Sequence, residues 1–79
     1  MHYVYILKSI RSGSFYYGYT TDLRRRFLEH QIGACNATRK FAPLKIVWYC
    51  AFPDETKAKE FEAYLKRGSG HGFSRRHLL

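Results

Sequence analysis

The chain has 79 residues and a net charge of +8, which limit the number of domains and the kinds of partner expected. A chain of this length forms one domain, which we expect to cover residues 1–79. No apolar run approaches the ~20 residues that span a bilayer, and the N-terminus lacks the residue order of a signal peptide. We therefore expect a cytoplasmic protein with no membrane partner, and the positive charge favours nucleic acid as the partner.

The first part of the chain predicts a β-hairpin followed by a helix. Residues 3–7 alternate aromatic and aliphatic side chains and predict a strand, and residues 15–19 predict a second strand after an Arg-Ser-Gly-Ser turn. Residues 20–22, Thr-Thr-Asp, provide N-cap chemistry for a helix over about residues 23–32. Gly33 is a suitable residue to end that helix.

The middle of the chain predicts a loop and a third strand. Residues 33–43 lack a regular apolar period and predict a polar, basic loop. Residues 44–52 are rich in β-branched and aromatic side chains, which predicts a strand at the centre of the sheet.

The C-terminal part predicts a second long helix. Asp54 is the expected N-cap, and the helix runs to about Lys66 with an apolar stripe at spacings of three and four. Residues 68–70, Gly-Ser-Gly, are expected to end it, and Ser74 to cap a last short helical turn. The predicted fold is therefore α+β, with the order β-β-α-β-α and helices flanking a small, mainly antiparallel three-stranded sheet.

Four side chains of the hairpin and first helix are candidates for one phosphate-binding site. Arg26 and His30 are four residues apart and share a helix face. An arginine there neutralises phosphate charge, a histidine relays a proton, and Tyr5 and Tyr16 are the phenols most easily placed beside them. By themselves these residues favour a simpler interpretation, a basic helix that only attracts nucleic acid.

Glu62 is the unusual residue of the second long helix. It lies on the apolar side, four residues after Ala58 and three before Leu65. A carboxylate in that position is costly unless it is paired or binds a metal. The spacing supports two interpretations of Glu62 equally. It forms an ion pair with Lys66, or it has a functional role.

Basic residues recur along the chain, which predicts a broad surface that contacts phosphates. Such contacts set affinity but carry little sequence preference. The basic candidates for nucleic-acid contact are Arg24, Arg25, Arg39, Lys40 and Lys66.

Taken in order, these motifs resemble the GIY-YIG nuclease superfamily of excision-repair and homing endonucleases, and more closely its small stand-alone members. Residues 3–5, Tyr-Val-Tyr, take the place of the first motif, and residues 16–18, Tyr-Tyr-Gly, take the place of the second. Arg26 matches the catalytic arginine, His30 a second helix residue, and Glu62 the metal-binding glutamate. One departure is Tyr3, which stands where the family motif has glycine.

The resemblance implies a metal-dependent endonuclease that hydrolyses phosphodiester bonds in DNA. Glu62 would hold one divalent cation, Mg²⁺ or Mn²⁺, and Arg26 would stabilise the charge on the phosphate. Tyr5 or Tyr16 would deprotonate or orient the attacking water, with Tyr5 preferred, and His30 would assist. The resemblance also adds Asn36 and Thr38, in the polar loop, as candidate nucleic-acid contacts.

Two other functions stay open at the level of the sequence. A non-catalytic nucleic-acid-binding module would keep the same fold and charge, and an RNA nuclease would use the same residues. The form of the DNA, whether single-stranded, duplex or branched, and the pathway, with DNA repair among the choices, are open as well.

Overall fold

The computed structural model describes residues 1–36 and 38–79, with the side chains of residues 69 and 71 excepted. The described residues form three strands and three α-helices in the order β-β-α-β-α-α. The elements are β1 (His2–Ser9), β2 (Phe15–Thr20), α1 (Leu23–Gln31), a 3₁₀ turn (Arg39–Phe41), β3 (Leu44–Phe52), α2 (Glu55–Leu65) and α3 (Gly68–His77). The predicted α+β fold is confirmed, and none of the described helices has the length and apolar character needed to cross a membrane.

The strand order in the sheet is β2-β1-β3, and both pairings are antiparallel. The expectation that the third strand is central was therefore wrong, because β1 pairs with both neighbours. Residues 4–7 of β1 are all buried, as a strand covered on both faces requires. In β3, exposed residues such as Lys45 and Tyr49 alternate with partly buried ones, which suits an edge strand.

The two faces of the sheet carry separate cores. Successive side chains of a strand point to opposite faces, and in β1 Tyr5 and Leu7 face α1, whereas Val4 and Ile6 face α2 and α3. Leu23 and Phe27 of α1 pack on the first face. The second face is covered mainly by Ala58, Phe61 and Leu65 of α2, together with Phe73 of α3.

Short-range capping contacts define both long helices. The side chain of Asp22 accepts a hydrogen bond from the Arg25 N–H, and that of Asp54 accepts one from the Thr56 N–H. Gly33 follows α1 with a φ of +78°, a backbone conformation that glycine adopts without strain. The predicted caps are thus confirmed.

The C-terminal helix differs from the prediction in two ways. The Gly-Ser-Gly segment begins α3 instead of forming a loop, and α3 spans ten residues. Ser74 caps no helix start; it is buried within α3, and its hydroxyl lies 3.2 Å from the Tyr17 hydroxyl. Close packing explains the glycine, because a Cβ atom on Gly70 would overlap the carbonyl group of Tyr64 at the end of α2.

We expect Gly70→Ala to destabilise the fold and Gly72→Ala to leave it as stable or slightly more stable. An added Cβ at Gly70 meets backbone of α2, and overpacking of this kind costs about 1–3 kcal/mol. Gly72 lies in the same helix with open space at its Cβ position, where alanine favours the helix by roughly 0.5–1 kcal/mol. Urea unfolding of both variants measures the difference, and equal stabilities would contradict the packing described here.

Candidate active site

Tyr5 lies in the central strand of the sheet, and the glycine of the Tyr-Tyr-Gly motif leaves space for its ring. It is 1% exposed and pairs in register with Gly18 of β2. A Cβ atom on Gly18 would overlap the ring carbons and hydroxyl of Tyr5. The glycine of the Tyr-Tyr-Gly motif therefore allows the Tyr5 ring to lie across β2 and to reach α1.

A chain of hydrogen bonds connects Tyr5 to the loop that follows α1. The Tyr5 hydroxyl lies 3.0 Å from His30 Nε2, and His30 Nδ1 lies 2.7 Å from the Thr38 hydroxyl. The guanidinium of Arg26 lies near Tyr5, and its positive charge acts to lower the pKa of the phenol. Both Tyr5 and His30 are buried, so these contacts stand in for hydrogen bonds to water.

Two tautomers of His30 satisfy this chain. In the first, the Tyr5 hydroxyl donates to His30 Nε2, and His30 carries its proton on Nδ1 and donates it to Thr38. In the second, both hydrogen bonds run the other way. Only the first tautomer leaves Nε2 able to accept a proton.

Burial and charge set the protonation states of these groups. Burial, with a smaller opposing contribution from the nearby Arg26, raises the pKa of Tyr5 to about 12. Burial and then the nearby charge of Arg26 lower the pKa of His30 below its ordinary value. The hydrogen bond to Glu29, and then the nearby Tyr5, raise the pKa of Arg26. Near neutral pH the cluster therefore combines a neutral phenol, a neutral imidazole and a cation.

Arg26 keeps part of its surface open while three neighbours hold it. Its side chain is 35% exposed and forms an ion pair with Glu29 at 3.0 Å. A second guanidinium nitrogen lies 3.5 Å from the Cys35 sulfur. Sequence reasoning did not identify Glu29 or Cys35 as neighbours of Arg26. Glu29 lies three residues after Arg26, a helical spacing that predicts contact between the two side chains. Cys35 lies in the loop after α1, and no helical spacing indicates its contact with Arg26.

Tyr16 completes the cluster at its outer side. The Tyr16 ring centroid is 5.2 Å from that of His30 and 6.5 Å from that of Tyr5. The ring is only partly buried and lines a small cavity of about 80 Å³ together with Thr38 and Phe41. Four of the five predicted catalytic residues, Tyr5, Tyr16, Arg26 and His30, are thus brought together on the α1 face.

Glu62 lies apart from this cluster. It is part of α2, which packs on the opposite face of the sheet, and its carboxylate forms an ion pair with Lys66 at 3.2 Å. No contact described for residues 1–36 and 38–79 joins Glu62 to Tyr5, Tyr16, Arg26 or His30. Lys59, less than one helical turn earlier, lies over the Tyr19 ring of β2. This flank of α2 therefore overlies the edge strand β2.

The donor groups in the described residues fit a metal site with few protein ligands. No group of three or more His, Cys, Asp or Glu side chains is arranged there to hold a metal ion. Mg²⁺ keeps several waters and is commonly bound through one or two carboxylates plus substrate phosphates. A partly exposed carboxylate such as that of Glu62 is compatible with a site of this kind.

The candidate nucleic-acid contacts are exposed, with one exception. Arg39 is oriented by Asn36, whose side-chain oxygen accepts a hydrogen bond of 2.8 Å. Thr38 is 1% exposed and its hydroxyl is bound by His30, so its position does not suit direct contact with nucleic acid. Its role in the structure is to orient His30. The exposed candidates are Arg24, Arg25, Asn36, Arg39, Lys40 and Lys66.

Comparison with known proteins identifies the family. The model of the GIY-YIG catalytic domain matches residues 1–75 of the chain. The chain belongs to the GIY-YIG family. The resemblance inferred from the motifs is confirmed, and the phenol, arginine and histidine cluster lies within the matched region.

The relatives of this GIY-YIG domain are UPF0213 proteins. One from Streptococcus pneumoniae is 42% identical over 66 residues, which is 82% of this chain and 66% of the relative, slightly under two thirds of its length. One from Cupriavidus pinatubonensis is 41% identical over 68 residues, covering 85% of this chain and 74% of the relative. The solution NMR structure of a UPF0213 protein from Bacillus halodurans has a TM-score of 0.59 at 36% identity and covers 98% of this chain and 85% of its own.

We expect this GIY-YIG domain to lose stability as pH falls below about 6.5, the ordinary pKa of histidine. Because the pKa of His30 is lower in the folded state, the unfolded chain binds the proton first, and stability declines until pH passes the folded pKa. Binding of this one proton lowers the free energy of unfolding by at most about 1.4 kcal/mol per pH unit. Urea unfolding at pH 7 and pH 5 measures it, and the decline should be smaller in His30→Gln. The same decline in both proteins would contradict the assignment.

Proposed function

We propose that the chain is a metal-dependent endonuclease that hydrolyses phosphodiester bonds in DNA. The observation that carries the proposal is the hydrogen bond between Tyr5 and His30 with Arg26 close by, which places a partly exposed cation beside a buried phenol and a neutral imidazole. A phosphate bound by Arg26 would lie next to the two groups able to move a proton. The net charge of +8 supports a polyanionic substrate.

The two buried groups suggest how water is activated. With a pKa of about 12, Tyr5 is protonated at neutral pH and is a poor base by itself. In the proposed step, a water held between the phosphate and the partly exposed Arg26 reaches the Tyr5 oxygen and gives it a proton, as the Tyr5 proton passes to His30 Nε2. The hydroxide forms a bond to phosphorus, the bond from phosphorus to the leaving oxygen breaks, and that oxygen takes a proton from solvent.

The remaining side chains stabilise charge and position the reactants. Arg26 stabilises the developing charge on the phosphate oxygens through charge-assisted hydrogen bonds. Tyr16, at the outer side of the cluster, orients the attacking water. Thr38 accepts the Nδ1 proton of His30 and keeps Nε2 free to take the Tyr5 proton.

Glu62 is the residue that would hold the divalent cation, Mg²⁺ or Mn²⁺. Its ion pair with Lys66 is partly exposed, and pairs of this kind contribute only about 0–1 kcal/mol. The carboxylate is therefore easily released for another cation. When bound, a divalent cation supplies Lewis-acid stabilisation of charge on the leaving oxygen.

A non-catalytic nucleic-acid-binding module is the second candidate, and the position of Glu62 favours it. In the described contacts this carboxylate is paired with Lys66 and does not touch the phenol cluster. A binding module would need the basic surface but would not need Glu62. Cleavage assays with matched variants separate the two functions.

We expect Arg26→Ala and Glu62→Gln each to lower the rate of metal-dependent DNA cleavage by about 100-fold or more, because each removes stabilisation of transition-state charge. The assay uses end-labelled single-stranded, duplex and branched DNA, and a matching RNA, with Mg²⁺, Mn²⁺ or EDTA. Arg76→Ala and Glu60→Gln are matched controls, since both residues are exposed and lie outside the cluster. Wild-type rates in both test variants would refute the nuclease assignment; tight binding without cleavage by any protein would favour the binding module.

We expect Thr38→Val to lower kcat about tenfold and to leave KM nearly unchanged, because the loss of one buried hydrogen bond costs about 1–3 kcal/mol and misorients His30. Thr38→Ser keeps the hydroxyl and should retain most of the activity. If valine and serine variants show the same kcat, Thr38 does not position His30.

A further inference from the structure

A groove of about 540 Å³ opens on the α1 face of the sheet, beside the phenol cluster. The proposed chemistry does not use it. It lies between the start of α1 and the strands β1 and β3, and its walls include Tyr3, Tyr49, Phe27, Ile46, Asp22 and Arg24. Its volume is in the range of about 300–1,000 Å³ that is typical of ligand pockets.

Two tyrosines form the aromatic part of this groove. Their ring centroids are 6.4 Å apart, with a tilt of 54° between the ring planes. Tyr49 is 56% exposed, and neither Tyr3 nor Tyr49 belongs to the two core clusters of the described residues. Tyr3 is partly buried, and it stands where the GIY-YIG motif has glycine. The two rings therefore provide an accessible aromatic surface outside the core.

The polar wall of the groove restricts what it can bind. The Asp22 side chain accepts the Arg25 N–H through Oδ1 and has further lone pairs to offer. A carboxylate repels phosphate but accepts hydrogen bonds from the N–H groups that every nucleobase carries on its Watson–Crick edge. In a duplex these N–H groups are paired with the opposite strand.

We propose that this groove binds an unpaired nucleobase, stacked on Tyr49 and Tyr3 with its edge towards Asp22. The substrate class is then DNA with a single-stranded segment next to the scissile phosphate, an inference that rests on the proposed function. Stacking is sequence-tolerant because every base has a π-face. Arg24, exposed at the wall of the groove, is available to the phosphate of the same nucleotide.

The groove and the phenol cluster are close enough to serve one strand of DNA. Tyr3 and Tyr5 are two residues apart in β1 and point to the same face. Tyr49 is the partner of Tyr5 in β3, and Phe27 adjoins Arg26 in α1. A base in the groove would therefore lie on the same face of the sheet as a phosphate at Arg26.

The test is binding of fluorescently labelled single-stranded and duplex oligonucleotides in EDTA, measured by anisotropy. We expect Tyr49→Ala to weaken single-strand binding by about tenfold, within the range reported by alanine substitution for stacked bases, and to change duplex binding less than twofold. Tyr49→Phe keeps the ring and should bind like the wild type. Tyr3→Ala is a second test variant, and Ile32→Ala is the control, because Ile32 is an exposed apolar residue outside the groove.

The outcomes separate this proposal from the nuclease assignment. Unchanged single-strand binding in both alanine variants, or an equal loss for single-stranded and duplex DNA, would overturn the base-binding groove. Because the experiment needs no cleavage, a selective loss would support the groove even if the protein cut no substrate. If Tyr49→Ala cleaves DNA and binds single strands like the wild type, the nuclease assignment stands and the base-binding groove is refuted.

Discussion

The hydrogen bond between the Tyr5 hydroxyl and His30 connects the central strand to α1, and the arrangement of the site depends on it. It forms because Gly18 has no side chain, so the Tyr5 ring can lie across β2. Burial of Tyr5 and His30 raises the pKa of the phenol and lowers that of the imidazole, so both are neutral near neutral pH beside the cation of Arg26. In this way one packing constraint determines both the geometry of the cluster and its protonation states.

The predicted site residues lie on both faces of the sheet. The phenols, Arg26 and His30 lie on the α1 face, whereas Glu62 projects from α2, which packs on the other face. In the proposed function the first group moves the proton and stabilises charge on the phosphate, and Glu62 would hold the cation. The groove beside Tyr3 would add base recognition on the α1 face.

The incorrect predictions concern features that depend on residues distant in sequence. The third strand was predicted to be central because it is rich in β-branched and aromatic residues, but pairing with both neighbours places β1 there. The Gly-Ser-Gly segment was expected to end a helix, yet it begins a new one, in which Gly70 packs closely against the end of α2. Thr38 was predicted to be a surface contact in a polar loop, but it is buried against His30. In each case a contact with a distant part of the chain outweighed the local pattern.

The sequence by itself determined the hairpin, the helix starts at Asp22 and Asp54, and the family, because these depend on contacts a few residues apart and on ordered motifs. It also predicted that Arg26 and His30 share a face, since helical spacing requires it. Only the tertiary structure decided that Tyr5 is buried between Gly18 and His30, and that Glu62 lies on the opposite face. Burial and strand order are properties of the packed sheet, and no local spacing encodes which side chains are removed from water or which face they share.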